Sequence, residues 1–328
     1  MIASGAGAQD VSSFTRTTSQ LTQSQQNTLE EFVSAGMRGL KSDSSEAVVE
    51  ARKRLIDPLT RAGTSGVFRE AFGQLFVKEV RDLLSDDDSL PVFNYANICQ
   101  VLAFTRTGES NEFLASTLQP GAGSQSETGS QQGRDLSAAS MLVVSIKTTD
   151  PDIIRPRQFN SIMRSILMSA EQTPSWAVLQ REFESLDSIS SNPRVKADIR
   201  KAAIENQMKV LKIALDKIAK GEELELTQAV SSMILKLRSQ YIRLEGTIRR
   251  TFKAEVEPAL REVLSTSMSG WSQLQSSEEL KERYGDSIDQ TMVLMRLLQS
   301  SSPGTENPAE YWKNGDQSGY ESAIKNWT

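Results

Sequence analysis

The chain has 328 residues, with 37 basic against 42 acidic side chains, a formal charge of −5, and 38 % hydrophobic residues. No apolar run reaches the roughly 18 residues needed to cross a bilayer, so no membrane role is expected. There is no histidine and one cysteine, Cys99, which removes His-based acid–base and nucleophilic catalysis, disulfides and Cys-cluster metal sites together. The expectation is a folded protein that is not an enzyme and needs no cofactor or metal.

Residues 1–27 are small and polar, with Val11, Phe14 and Leu21 as isolated apolar positions, and read as an N-terminal arm without the apolar core of a secretory signal. Thr28 and Glu31 form a capping-box pattern, so the first helix is expected from Thr28, followed by helices over 45–62 and 65–84. In the third, Phe68, Phe72, Phe76 and Val80 recur at helical spacing. The acidic run 86–88 should end it, and a shorter helix follows around 95–104. Residues 119–134 (QPGAGSQSETGSQQGR) read as a mobile loop, and 138–146 as a buried helix rather than a strand.

Beyond Pro156 the pattern is helical almost throughout. Thr173-Pro174 and Asn192-Pro193 are start signals, one helix runs from Pro193 to about Gly221, and the next carries Val230 through Phe252. Pro258 should break or restart it. Ser276 and Glu279 repeat the capping-box pattern ahead of a last helix over 288–298. No strand alternation appears, so the class is all-α. The expected architecture is an N-terminal lobe over 28–190, a C-terminal lobe over 191–300, a basic groove between them, and extended arms at 1–27 and 301–328.

Charge is unevenly placed. Residues 194–220 hold eight basic and three acidic side chains, and 236–253 hold six and one, so these stretches carry +10 in an acidic chain. Lys236, Arg243 and Arg250 recur every seven residues and so stay on one helix face, where they would track a phosphate backbone. Lys196 and Arg200 belong to the first basic stretch. Lys147, Arg155, Arg157 and Arg164 surround a helix start at Pro156, where free backbone N–H groups also favour an anion. The plainer alternative is that each group is the solvated face of an amphipathic helix. Tyr311, Trp312, Tyr320 and Trp327 sit in a polar tail and suit docking onto another copy, with Phe14 as the N-terminal counterpart. The alternative is that the tail folds back on its own lobe.

Residues 140–179 (SMLVVSIKTTDPDIIRPRQFNSIMRSILMSAEQTPSWAVL) resemble the central part of nucleoproteins of non-segmented negative-strand RNA viruses, in particular the bornavirus type and its fungal, mymonavirus-like relatives. The shared features are an apolar run, a Thr-Thr/Thr-Asp element, and a helix with a Phe, a basic residue and a Thr-containing turn. Tyr311-Trp312 and Gly319-Tyr320 resemble that type's terminal aromatic stretch. The resemblance does not extend over 193–258. It implies a two-lobed α fold that clamps single-stranded RNA and polymerises by arm exchange into a nucleocapsid. It also implies a viral polymerase or phosphoprotein as partner, and a place in the virion or in a cytoplasmic ribonucleoprotein. Lys147, Arg155, Arg157 and Arg164 lie inside the similar stretch. The competing expectation is a helical scaffold or effector that binds a protein and no nucleic acid.

Overall fold

A computed structural model describes residues 10–86, 90–118, 128–298, 306–325 and 327. Every regular element among these residues is a helix, which makes the chain all-α. It divides into two compact units, Met1–Ile162 and Met163–Thr328, whereas the sequence pattern suggested a break near 190.

The first unit holds α1 (Gln23–Leu40), α2 (Ser45–Thr60), α3 (Gly66–Asp86), α4 (Val92–Thr105), α5 (Gly108–Ser116) and α6 (Thr128–Thr148); the division falls within α7 (Pro156–Gln172). α4 is the central helix, packed on α1, α2, α3, α5 and α6. It is apolar nearly all round, with Ile98, Cys99, Val101 and Leu102 buried, as a helix enclosed by others must be. Burial pushes the Cys99 thiol up to about 12, so it is an inert core group. Asn94 donates to the Leu40 and Ser42 carbonyls at 2.9 and 3.0 Å and so closes the C-terminus of α1. The Arg69 guanidinium does the same for two helix ends, donating to the carbonyls of Leu59 and Phe104. α1 and α2 approach closely through small residues: a Cβ on Gly36 would lie 2.4 Å from Leu55 Cδ2.

Several expectations change here. α1 begins at Gln23, five residues before Thr28, because Thr22 and Gln25 make the reciprocal cap (3.3 and 2.9 Å). Residues 10–21 are not an extended arm. Val11, Phe14 and Leu21 are buried, Phe14 meets Phe68 edge-on at 5.9 Å, and Thr15 O accepts from Ser65 N at 2.9 Å. The isolated apolar residues are anchors into the unit's own aromatic core. The 119–134 loop is shorter than expected, since 128–134 open α6, where the Arg134 guanidinium donates to the Leu90 carbonyl and covers Tyr95. Residues 1–9, Asp87 and Asp88 of the acidic run, and 119–127 lie outside the described residues.

Asp135 of α6 is buried and accepts from Gln131 Nε2 at 2.7 Å; burial raises its carboxyl to about 6. The folded unit therefore holds a proton that the unfolded chain releases between about pH 4 and 6, and stability falls as pH rises through that window. Asp135→Asn keeps an acceptor and removes the buried charge. The variant is expected to be more stable by about 1–2 kcal/mol at pH 7, an advantage that disappears near pH 4, as urea unfolding at the two pH values would read.

The second unit contains α8 (Trp176–Ser190), α9 (Ala197–Ala219), α10 (Thr227–Arg243), α11 (Gly246–Ser269), α12 (Trp271–Leu274), α13 (Glu278–Leu298), α14 (Pro308–Asn314) and α15 (Gln317–Ile324). α9 packs on α8, α10 and α11 and buries Ile204, Leu211, Leu215 and Ile218. Ser190, Gln207 and Gln240 close a buried hydrogen-bonded triangle across α8, α9 and α10, with Gln240 Nε2 donating to Ser190 Oγ at 2.6 Å. Ser175, not Thr173, caps α8. α9 starts at Ala197, because 192–195 form a turn in which Val195 N reaches Asn192 O. Pro258 lies inside α11, and Ser277 rather than Ser276 caps α13 through Leu280 N.

The tail is not an extended arm either. Residues 301–305 lie outside the described residues, but α14 and α15 form a short helical pair packed on α13 and α11. Trp312, Tyr320 and Trp327 are buried. Trp312 meets Trp271, Tyr284 and Tyr320 with ring centroids 4.9–5.8 Å apart. Its indole N–H donates to Lys281 O at 2.8 Å, and the Ser267 hydroxyl donates to the Tyr320 oxygen at 2.6 Å. Tyr311 lies against Gly319, where a Cβ would come within 2.3 Å of its ring, and Arg296 covers Trp327. Trp312 and Tyr320, with partners for both ring and N–H or O–H, are core groups here, so the alternative that the tail folds back on its own unit is the one realised.

Candidate nucleic-acid interface

The best-defined cluster of sequence-selected cations lies around the connection from α6 to α7. Thr149 is buried and accepts from Asn111 Nδ2 at 3.2 Å, which holds the end of α6 down and leaves Lys147, in its last turn, exposed. Asp150 caps the turn that follows through Asp152 N at 3.0 Å. Arg155 and Gln158 then make a reciprocal cap at the start of α7, where Arg155 N donates to Gln158 Oε1 at 3.0 Å and Gln158 N to Arg155 O at 2.9 Å. That cap uses backbone atoms of Arg155 and leaves its guanidinium in solvent. Arg157 and Arg164 are seven residues apart on α7, exposed on the side opposite Phe159, Ile162 and Ile166.

Arg155 and Arg157 line a groove of about 700 Å³ together with Arg81, Glu70, Glu109 and Glu112. Three guanidiniums therefore share the groove with three carboxylates, a balance that the residue count around Pro156 did not reveal. The opposing acids come from α3 and α5, remote in sequence.

The other sequence-selected cations divide. Lys196, at the start of α9, and Arg250, on α11, are exposed. Arg200 is half-buried and donates through Nε to Ser190 O at 2.8 Å, closing the C-terminus of α8; burial lowers its pKa. Lys236 lies 3.3 Å from Glu184, which also accepts from Arg181 at 2.6 Å. Burial works against the Glu184 carboxylate, but the Arg181 bond and the Lys236 charge prevail and hold its pKa below the usual range. Arg243 lies 3.5 Å from Asp187. Arg200, Lys236 and Arg243 thus each have a partner within the second unit.

Lys236, Arg243 and Arg250 also do not share a helix face. α10 ends at Arg243, the chain turns at Gly246 with φ +57°, and Arg250 stands on α11. The seven-residue arithmetic requires a continuous helix, and a left-handed glycine interrupts it. The sequence reading overlooked α8, whose Arg181, Glu184 and Asp187 recur every three residues and so already marked a charged stripe. Arg249, counted in the basic stretch 236–253, covers the Tyr241 ring with its guanidinium at 4.3 Å while Phe252 stacks on Tyr241 at 5.9 Å.

Among the described residues no group of three acidic, His or Cys side chains is placed to hold a metal ion, and no helix is long and apolar enough to cross a membrane. No family model, no curated protein and no solved structure matches the chain.

Proposed function

We propose that this chain is a nucleoprotein of the kind the 140–179 stretch resembles, coating single-stranded RNA through phosphate contacts and polymerising into a nucleocapsid. The observation that carries the reading is the state of the cations. Lys147, Arg155, Arg157, Arg164, Lys196 and Arg250 stand exposed and form no ion pair with a described residue, whereas Lys236 and Arg243 do. A coat must bind any sequence, and solvent-facing guanidiniums along a helix supply phosphate contacts without reading base edges. Residues 147–164 are the proposed centre of the track.

The test is titration of fluorescent single-stranded RNAs of differing sequence at several salt concentrations. Arg155→Glu/Arg157→Glu/Arg164→Glu is expected to weaken binding at least about tenfold and to reduce the slope of log affinity against log salt by about 2, as loss of three phosphate contacts requires. Wild-type protein that binds no RNA at low salt, or a triple variant that binds like wild type, would overturn the reading. The groove favours a second one. Glu70, Glu109 and Glu112 beside the arginines suit a zwitterionic peptide segment, which fits a scaffold that binds protein and no nucleic acid.

A further inference from the structure

Four of the nine large apolar side chains that stand exposed among the described residues lie on two helices packed on each other in the second unit. Leu235 (44 % exposed) and Ile242 (66 %) are on α10, and Val293 (38 %) and Leu297 (43 %) are on α13. Leu235 and Ile242 are seven residues apart, so they share a stripe, on the side away from the buried Met233 and Leu237. Arg238 lies on that stripe, exposed, and Arg249 and Arg250 follow just past the Gly246 turn. On α13 the exposed Glu282, Asp286, Val293 and Leu297 fall within about 60° of one another. α10 therefore offers an apolar stripe that carries Arg238, and α13 an apolar stripe preceded by Glu282 and Asp286, with Arg296 exposed beside Leu297.

Single exposed apolar residues are ordinary, but two ordered stripes of opposite charge on neighbouring helices mark a contact surface. We infer that this face docks a second copy of the chain, the α10 stripe of one copy lying on the α13 stripe of the next. Each stripe carries what the other lacks: with the helices laid parallel, Ile242 meets Val293 in the register that brings Arg238 within reach of Asp286. RNA would suit the arginines but be repelled by the α13 carboxylates and leave the apolar side chains uncovered, and an anionic membrane would meet the same repulsion. The inference deepens the polymerising half of the reading above. It replaces arm exchange with a contact between preformed helices, since the terminal aromatics are spent inside their own units.

The test is sedimentation velocity of the nuclease-treated full chain across protein concentration and salt. Wild type is expected to associate at low salt. Ile242→Asp, Arg238→Glu and Asp286→Arg should each weaken association about tenfold or more, and Ile242→Leu should retain it. An equimolar mixture of the Arg238→Glu and Asp286→Arg proteins should associate again, which no misfolded variant can imitate. Wild type that stays monomeric at about 100 μM and low salt, Ile242→Asp that associates normally, or a mixture that fails to recover would each overturn the proposal. RNA affinity of the same proteins separates the two ideas. Association without RNA binding defeats the nucleoprotein reading alone, and RNA binding by a strictly monomeric wild type defeats this one and the polymerising half of that reading while its phosphate contacts stand.

Discussion

Trp312→Ala is expected to destabilise the second unit by about 3–5 kcal/mol, the range for removing a fully enclosed large aromatic. The indole is entirely buried, touches Trp271, Tyr284 and Tyr320, and loses with its ring a hydrogen bond to Lys281 O. Truncation would remove the second hydrogen bond to that carbonyl and open a cavity between α12, α13 and α15 that small movements cannot close. Urea unfolding should show the loss, and the difference from wild type should be the same at every protein concentration, because the seat of Trp312 is in the same chain. A loss under about 1 kcal/mol, or a difference from wild type that changes with concentration, would mean instead that a neighbouring copy supplies the seat.

Phe72→Ala is the counterpart in the first unit, with an expected cost of about 3–5 kcal/mol. Phe72 is fully buried at the centre of an aromatic row: Phe68 and Phe76 lie 6.2 and 6.0 Å away, Phe32 approaches edge-on at 6.5 Å, and Phe14 joins through Phe68. Removing the middle ring breaks contacts from α1 and from the 10–21 segment together. Limited proteolysis should therefore cut residues 10–21 faster in this variant than in wild type. Unchanged cleavage would separate the segment from the aromatic row.

The helices were largely legible, because Phe68, Phe72 and Phe76, or Ile204, Leu211 and Leu215, repeat at the period a buried face demands. What stayed hidden was every feature that depends on a distant partner. Phe14, Trp312 and Tyr320 looked like exposed anchors because an aromatic in a polar stretch has the same sequence signature whether it docks on its own chain or on another. Lys236 and Arg243 looked like free cations because Glu184 and Asp187 lie some 50 residues away in sequence. The break at Gly246 was missed because apolar periodicity continues across it, from Tyr241 through Leu244 to Ile248, all of them buried on both sides of the turn. Local caps failed by one or a few residues for a simpler reason: Thr22, Ser175 and Ser277 each have another hydroxyl residue close by, and composition does not choose between neighbours.

The enclosed thiol has an experimental use. Cys99 is the sole cysteine and belongs to the first unit, whereas all four tryptophans, Trp176, Trp271, Trp312 and Trp327, belong to the second. The molecule thus carries two intrinsic probes that do not overlap. A thiol reagent reads only the opening of α4's surroundings, since the sulfur is shielded and held protonated in the closed state, while indole emission follows only the other half. Labelling and fluorescence recorded in one denaturant series would resolve whether the halves melt together or in sequence, without adding a dye or a mutation.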